Sequence, residues 1–153
     1  MSGRSVIHDT FRIDRRFEAK PARVFAAWAK PEAKARWFSC HDDWVTAAYT
    51  LDFRVGGRER LRIGPAGGTV HGFDGHYHDI VENQRIVYAY EMRLDARLIS
   101  ISLVTVLFEP DAKGTRLAFI EQGAFLDGYD DVAGRVHGTN AGLDKLKAEL
   151  RRA

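Results

Sequence analysis

This chain of 153 residues carries a single cysteine, Cys40, which excludes an internal disulfide and a cysteine-based zinc site and agrees with a reducing compartment. Cys40 therefore reads as a partly buried thiol. No stretch approaches the roughly 20 apolar residues that span a bilayer, and the opening MSGRSVIHDTF lacks the apolar centre of a signal peptide. A cytoplasmic protein with no membrane partner is expected. Excess charge is also missing: 23 Lys and Arg against 21 Asp and Glu leave +2, too little to argue for nucleic acid. The one basic cluster, Lys145, Lys147, Arg151 and Arg152, falls in the last turns of the closing segment, where cations complement the negative end of a helix dipole. The chain has no Gly-x-Ser-x-Gly elbow, phosphate loop, dinucleotide fingerprint or zinc-protease helix, which disfavours those enzyme classes and calls for no cofactor.

What is present reads as one domain over residues 1–153, with 45% apolar and 29% charged residues, ordinary for a globular chain. From Val6 to Phe17 the apolar Ile7, Phe11, Ile13 and Phe17 alternate with polar residues, the period of a half-buried strand. Pro21 opens a short helix with Val24, Phe25 and Trp28 on its apolar side, and Pro31 restarts a second through Trp37. Turn signals then recur at hairpin intervals: Gly56 and Gly57, Pro65 with Gly67 and Gly68, Glu82 to Gln84, Asp95 and Ala96, and Pro110 to Gly114. About six antiparallel strands must lie around them, clearest at 70–81, 86–92, 98–109 and 115–122. No segment of helix length interrupts them, so the sheet is a meander and a parallel α/β fold is excluded.

The closing segment predicts a helix from near Asp130 to Arg151, capped by Asp127 or Asp130, with Val132, Val136, Thr139, Leu143, Leu146 and Leu150 on one stripe. Gly134, Gly138 and Gly142 follow every fourth position along its margin. Each costs about 1 kcal/mol against alanine in a helix, so bulk is unwanted there. Close approach of the helix backbone to the sheet is the favoured explanation, and space for a ligand is the alternative.

The order of strand, two short helices, meander and long terminal helix resembles the START-like (SRPBCC) superfamily. Within it the chain is similar to the bacterial branch related to the activator of heat-shock protein 90 ATPase. The motifs that carry this are FEAKPARVFAAWAKPEAKARWF at Phe17 to Phe38, LDFRVGG at Leu51 to Gly57 and GHYHDIVENQRIVYAYE at Gly75 to Glu91. SLVTVLFEP at Ser102 to Pro110, TRLAFIEQGAF at Thr115 to Phe125 and the Leu143, Leu146, Leu150 ending complete the set. The resemblance implies an α+β helix-grip fold, a bent antiparallel sheet wrapped around the C-terminal helix, with a cavity between them. The branch commonly has a tryptophan after the glycine of the last helix. Here Gly138 is followed by Thr139, a smaller and polar side chain.

The function this implies is binding of a small apolar or aromatic molecule in that cavity. Strand alternation turns Ile86, Tyr88, Tyr90 and Met92 inward, then Ser100, Ser102, Val104, Val106 and Phe108, then Leu117, Phe119 and Glu121. The residues expected to bind the ligand are Trp37, Tyr77, Tyr88, Tyr90, Ser102, Phe119, Glu121, Thr139 and Leu143. Glu121 is the candidate catalytic residue, because desolvation disfavours a charged carboxylate and suits it to general acid–base work. The competing reading has it reach solvent or pair with an arginine such as Arg135. Two further functions stay open: a cyclase-like enzyme of the polyketide-cyclase type, and an interaction domain that stimulates a chaperone ATPase. A homodimer is compatible with the sequence.

His76 and His78 share a strand face at a spacing that two metal ligands use, but Phe73 and Tyr77 set the inward parity and turn the histidines out. No third ligand is evident beside them, although His71 and His137 remain candidates. No metal is expected. Trp28, Trp37 and Trp44 gather around the short helices, as a pocket mouth or as core.

Overall fold

The computed structural model describes residues 4–38 and 42–152. Cys40 lies outside the described residues. The first strand, β1 (Val6–Phe17), buries Ile13 and Phe17 on its inner face. Two short helices follow, α1 (Pro21–Ala29) and α2 (Pro31–Trp37), each opened by its proline. The residues before those prolines, Lys20 and Lys30, are extended, as the proline ring requires of its predecessor, and this separates the two helices. Their inner faces bury Val24, Phe25, Ala27 and Trp28, then Ala33, Lys34 and Trp37.

The remaining strands are β2 (Val45–Leu51), β3 (Arg58–Gly64), β4 (His71–Val81), β5 (Arg85–Leu94), β6 (Arg97–Asp111) and β7 (Gly114–Leu126). All pairings are antiparallel, in the order β1-β7-β6-β5-β4-β3-β2. The meander therefore holds from β2 to β7, and β1 returns beside β7 as an edge. Six strands, β2 to β7, follow the two helices as the turn spacing indicates, and β1 makes the seventh.

One-residue irregularities bend this sheet. In β4 the register passes from Tyr77↔Tyr88 to Asp79↔Val87, leaving His78 as the extra residue. The inward parity shifts with it, so that Ile80, opposite Ile86, packs against the core on the side of Tyr77. A second shift lies between Thr46 and Ala48 in β2 and a third beside Met92 in β5.

The terminal helix, α3, spans Val132–Glu149. It starts two residues later than the sequence pattern indicates, and its cap is neither Asp127 nor Asp130. Asp131 accepts the Gly134 N–H at 2.9 Å instead, while Asp127 sits at φ 54 and accepts from the Ser5 N–H and Arg4. Leu143 and Leu146 are buried, and Val136 and Leu150 pack at the core's edge. The main contacts of α3 are with α2 and β1 rather than with the central strands. The result is a bent seven-stranded antiparallel sheet with three helices on its concave side, an α+β helix-grip architecture.

Candidate functional site

Holding α3 away from the central strands leaves a hollow of about 400 Å³, partly open to solvent, within the range of about 300–1,000 Å³ typical of ligand pockets. Its walls are mainly apolar. Trp28 and Trp37 meet edge to face with ring centroids 4.8 Å apart, and Phe73 stacks on Tyr90 at 4.6 Å. Leu61, Ile63, Met92 and Ile99 extend the wall, and Trp44 packs against His71 on its border with ring centroids 4.5 Å apart and the planes tilted by 40°. The indole N–H of Trp28 is buried and has no acceptor among the described residues.

Gly134, Gly138 and Gly142 all border the hollow. A Cβ built on Gly142 would meet nothing nearer than the Trp37 carbonyl oxygen at 4.0 Å, so this glycine faces space. A Cβ on Gly134 would strike the Asp131 carboxylate of the cap at 2.3 Å. At neither position is the helix backbone pressed against the sheet, which corrects the favoured explanation for these two glycines.

One polar cluster interrupts the apolar wall. Glu121, from the middle of β7, is 1% exposed and accepts three hydrogen bonds on Oε2: from the Tyr90 hydroxyl at 2.7 Å, the Ser102 hydroxyl at 2.8 Å and Arg135 at 3.1 Å. Arg135, on the first turns of α3, also donates to Tyr90 at 2.8 Å and to Ser100 at 2.9 Å, and its guanidinium lies over the Phe125 ring at 5.1 Å. Burial pulls the Arg135 guanidinium down, but Tyr90 and Glu121 outweigh it and raise it above its ordinary value. Burial first, and the neighbouring charges second, push the Tyr88 and Tyr90 phenols well above the ordinary tyrosine value, so both remain protonated donors.

The structure brings most of the predicted ligand-binding residues to this hollow. Trp37, Tyr88, Tyr90, Phe119, Glu121, Thr139 and Leu143 line it. Ser102 is not part of the wall and acts on it through its bond to Glu121. Tyr77 does not reach it: its hydroxyl donates to Glu59 Oε1 at 2.7 Å in a separate cluster.

That second cluster escaped the sequence pattern. Lys34 Nζ lies 2.9 and 3.1 Å from the two oxygens of Glu59, which also accept from Tyr49 at 2.6 Å and Tyr77 at 2.7 Å. The Phe38, Trp28 and Trp37 rings surround the ammonium, with centroids 4.1, 5.2 and 5.4 Å away. Burial pushes the Lys34 ammonium below its ordinary value, and Glu59 pulls it partly back. A signal existed: Glu59 shares the inward parity of Leu61 and Ile63, as Glu121 shares that of Phe119, and Lys34 stands one turn before Trp37 on the same helix face.

His78 is exposed, His76 is half-buried, and their rings lie 5.2 Å apart on the face opposite Phe73 and Tyr77. His137 is exposed on α3. Among the described residues no three His, Cys, Asp or Glu side chains gather as a metal site, and no helix is long and apolar enough to cross a membrane.

A family model described as "Activator of Hsp90 ATPase homolog 1-like protein" matches residues 18–151. Among solved structures, a Rhizobium leguminosarum protein is 51% identical, with a TM-score of 0.93 over 98% of this chain and 99% of that one. The Mll3558 protein of Rhizobium loti is 44% identical, TM-score 0.88, over 95% and 99% of the two chains. CV1439 of Chromobacterium violaceum is 27% identical, TM-score 0.79, over 94% and 98%. No curated protein matches the chain.

Proposed function

This chain belongs to the activator of Hsp90 ATPase homolog 1-like family, and from that membership and the geometry of its hollow we propose that it binds a small, largely apolar or aromatic molecule between the sheet and α3. The observation that carries this reading is a hollow of about 400 Å³ walled by aromatic and aliphatic side chains, with a single polar cluster at Glu121 and Arg135. Ordinary cores close to voids smaller than this, and Gly142, whose missing side chain would face the space, helps keep it from being filled.

The cyclase-like alternative draws less support from the same cluster. Each proton that Glu121 took up would leave the Arg135 guanidinium, whose side chain is 15% exposed, without its partner. The family's name refers to a chaperone ATPase, and likeness of fold does not carry a protein partner with it.

Thermal unfolding with a panel of apolar and aromatic compounds tests the reading. A compound present at a hundred times its Kd stabilises the fold by about 2.7 kcal/mol, a readily measured rise in Tm. Gly142→Phe, which puts a ring into the space, should abolish that rise while the unliganded protein stays folded. If no compound raises Tm, or if Gly142→Phe leaves the rise intact, binding in this hollow is overturned.

A further inference from the structure

Glu121 uses only half of its carboxylate. All three donors that reach it, Tyr90, Ser102 and Arg135, bond to Oε2, and none among the described residues bonds to Oε1. The residue is 1% exposed and lines the hollow, so the space that Oε1 can face is the hollow itself. A second polar group is in the same position. Tyr88 is 3% exposed and lines the hollow, and its hydroxyl has no hydrogen bond among the described residues, unlike those of Tyr49, Tyr77 and Tyr90. The two stand on one rung of the sheet, since Tyr88 pairs with Val104 and Val104 with Glu121. Both atoms open onto the hollow, so a ligand that covers them without partnering them would leave a polar group and a charge unsatisfied, and the site favours one that supplies both partners.

The charge balance narrows the ligand further. Arg135 is already matched by Glu121 at 3.1 Å, and an anionic ligand would bring an unmatched negative charge beside a free carboxylate oxygen. Resting on the ligand-binding reading above, we infer that this site selects a neutral molecule with a hydrocarbon body and a hydroxyl group, the hydroxyl donating to Glu121 Oε1. A hydroxyl also carries acceptor lone pairs, which suit the Tyr88 phenol. The Glu121 cluster is thus a specificity element that separates alcohols and phenols from plain hydrocarbons and from carboxylates of the same shape.

Three probes that share one ring system test this: 2-naphthol, naphthalene and 2-naphthoate, titrated into the full chain and followed by quenching of the tryptophans that line the hollow and by calorimetry. The wild-type protein should bind 2-naphthol about tenfold or more tighter than naphthalene, and 2-naphthoate weakest of all. Glu121→Gln turns amide hydrogens toward the ligand and leaves Arg135 unmatched, so it should strengthen 2-naphthoate about tenfold and narrow its gap to 2-naphthol, whose oxygen can still accept from the amide. The wild-type ratios decide the inference without the variant, should the variant fail to fold. If naphthalene or 2-naphthoate binds wild type as tightly as 2-naphthol, the hydroxyl selection is overturned while binding in the hollow stands. If none of the three binds, the ligand-binding reading falls and takes this inference with it.

Discussion

Lys34 Nζ sits 2.9 Å from Glu59 Oε2, with the two side chains 0% and 1% exposed, so a helix and an edge hairpin of this fold are joined by a salt bridge shut away from water. Desolvation makes such a pair costly to assemble and costlier to break singly. Lys34→Met removes the cation and leaves Glu59 as a buried charge, held only by the Tyr49 and Tyr77 hydroxyls. Denaturant unfolding should show a loss of about 3–5 kcal/mol. Adding Glu59→Gln should recover part of it, because a neutral amide accepts from one tyrosine through its oxygen and donates to the hydroxyl of the other through its nitrogen. A double variant no more stable than Lys34→Met would show that the charge imbalance was not the cause.

The end of α3 is tied to α2 by a different kind of pair. Arg36 donates to both oxygens of Glu149, at 2.8 and 2.6 Å, and this bonding holds the Glu149 carboxyl below its ordinary value of 4.5, against a smaller opposing effect of burial. A carboxyl lowered in the folded state contributes stability that is complete above its unfolded value and is lost as pH falls through the folded one. Wild type should therefore lose stability from about pH 4.5 downward, relative to pH 7. In Arg36→Gln this part of the acid loss should shrink, with most of the change already visible at pH 7. Urea unfolding of both proteins at pH 7 and at successive acid steps measures it, and equal acid slopes would remove Glu149 from the account.

Two glycines of α3 should respond oppositely to the same change. Gly142→Ala adds a methyl where only the Trp37 carbonyl oxygen lies within 4.0 Å, and should stabilise by up to about 1 kcal/mol through helix propensity. Gly134→Ala places its methyl 2.3 Å from Asp131 Oδ2 and forces the cap aside. Losing a cap costs about 0.5–2 kcal/mol, which cancels or exceeds the propensity gain. The two variants should differ by about 1 kcal/mol or more in chemical denaturation, and a gain of equal size at both would show that the cap yields freely.

The sequence by itself determined the elements and their inward faces. Alternation in β1, β5, β6 and β7 and the leucine stripe of α3 are local periodicities, and each states which side of its own element is apolar whatever lies opposite. Glu121 was legible in this way because it continues the row of Leu117 and Phe119, and Glu59 carries the same mark beside Leu61 and Ile63. Parity says that a side chain points inward but not what it meets. Whether Glu121 would meet a proton acceptor, water or Arg135 depended on where α3 crosses the sheet, and whether Tyr77 would reach the hollow or Glu59 depended on the hairpin of β2 and β3 that closes over it. The extra residue at His78 shifted the inward side of β4 from Tyr77 to Ile80, a change no uninterrupted period could signal. The hollow belongs to the tertiary structure alone, because it is the gap left when α3 is braced on α2 and β1 with glycines on the margin it turns toward the central strands.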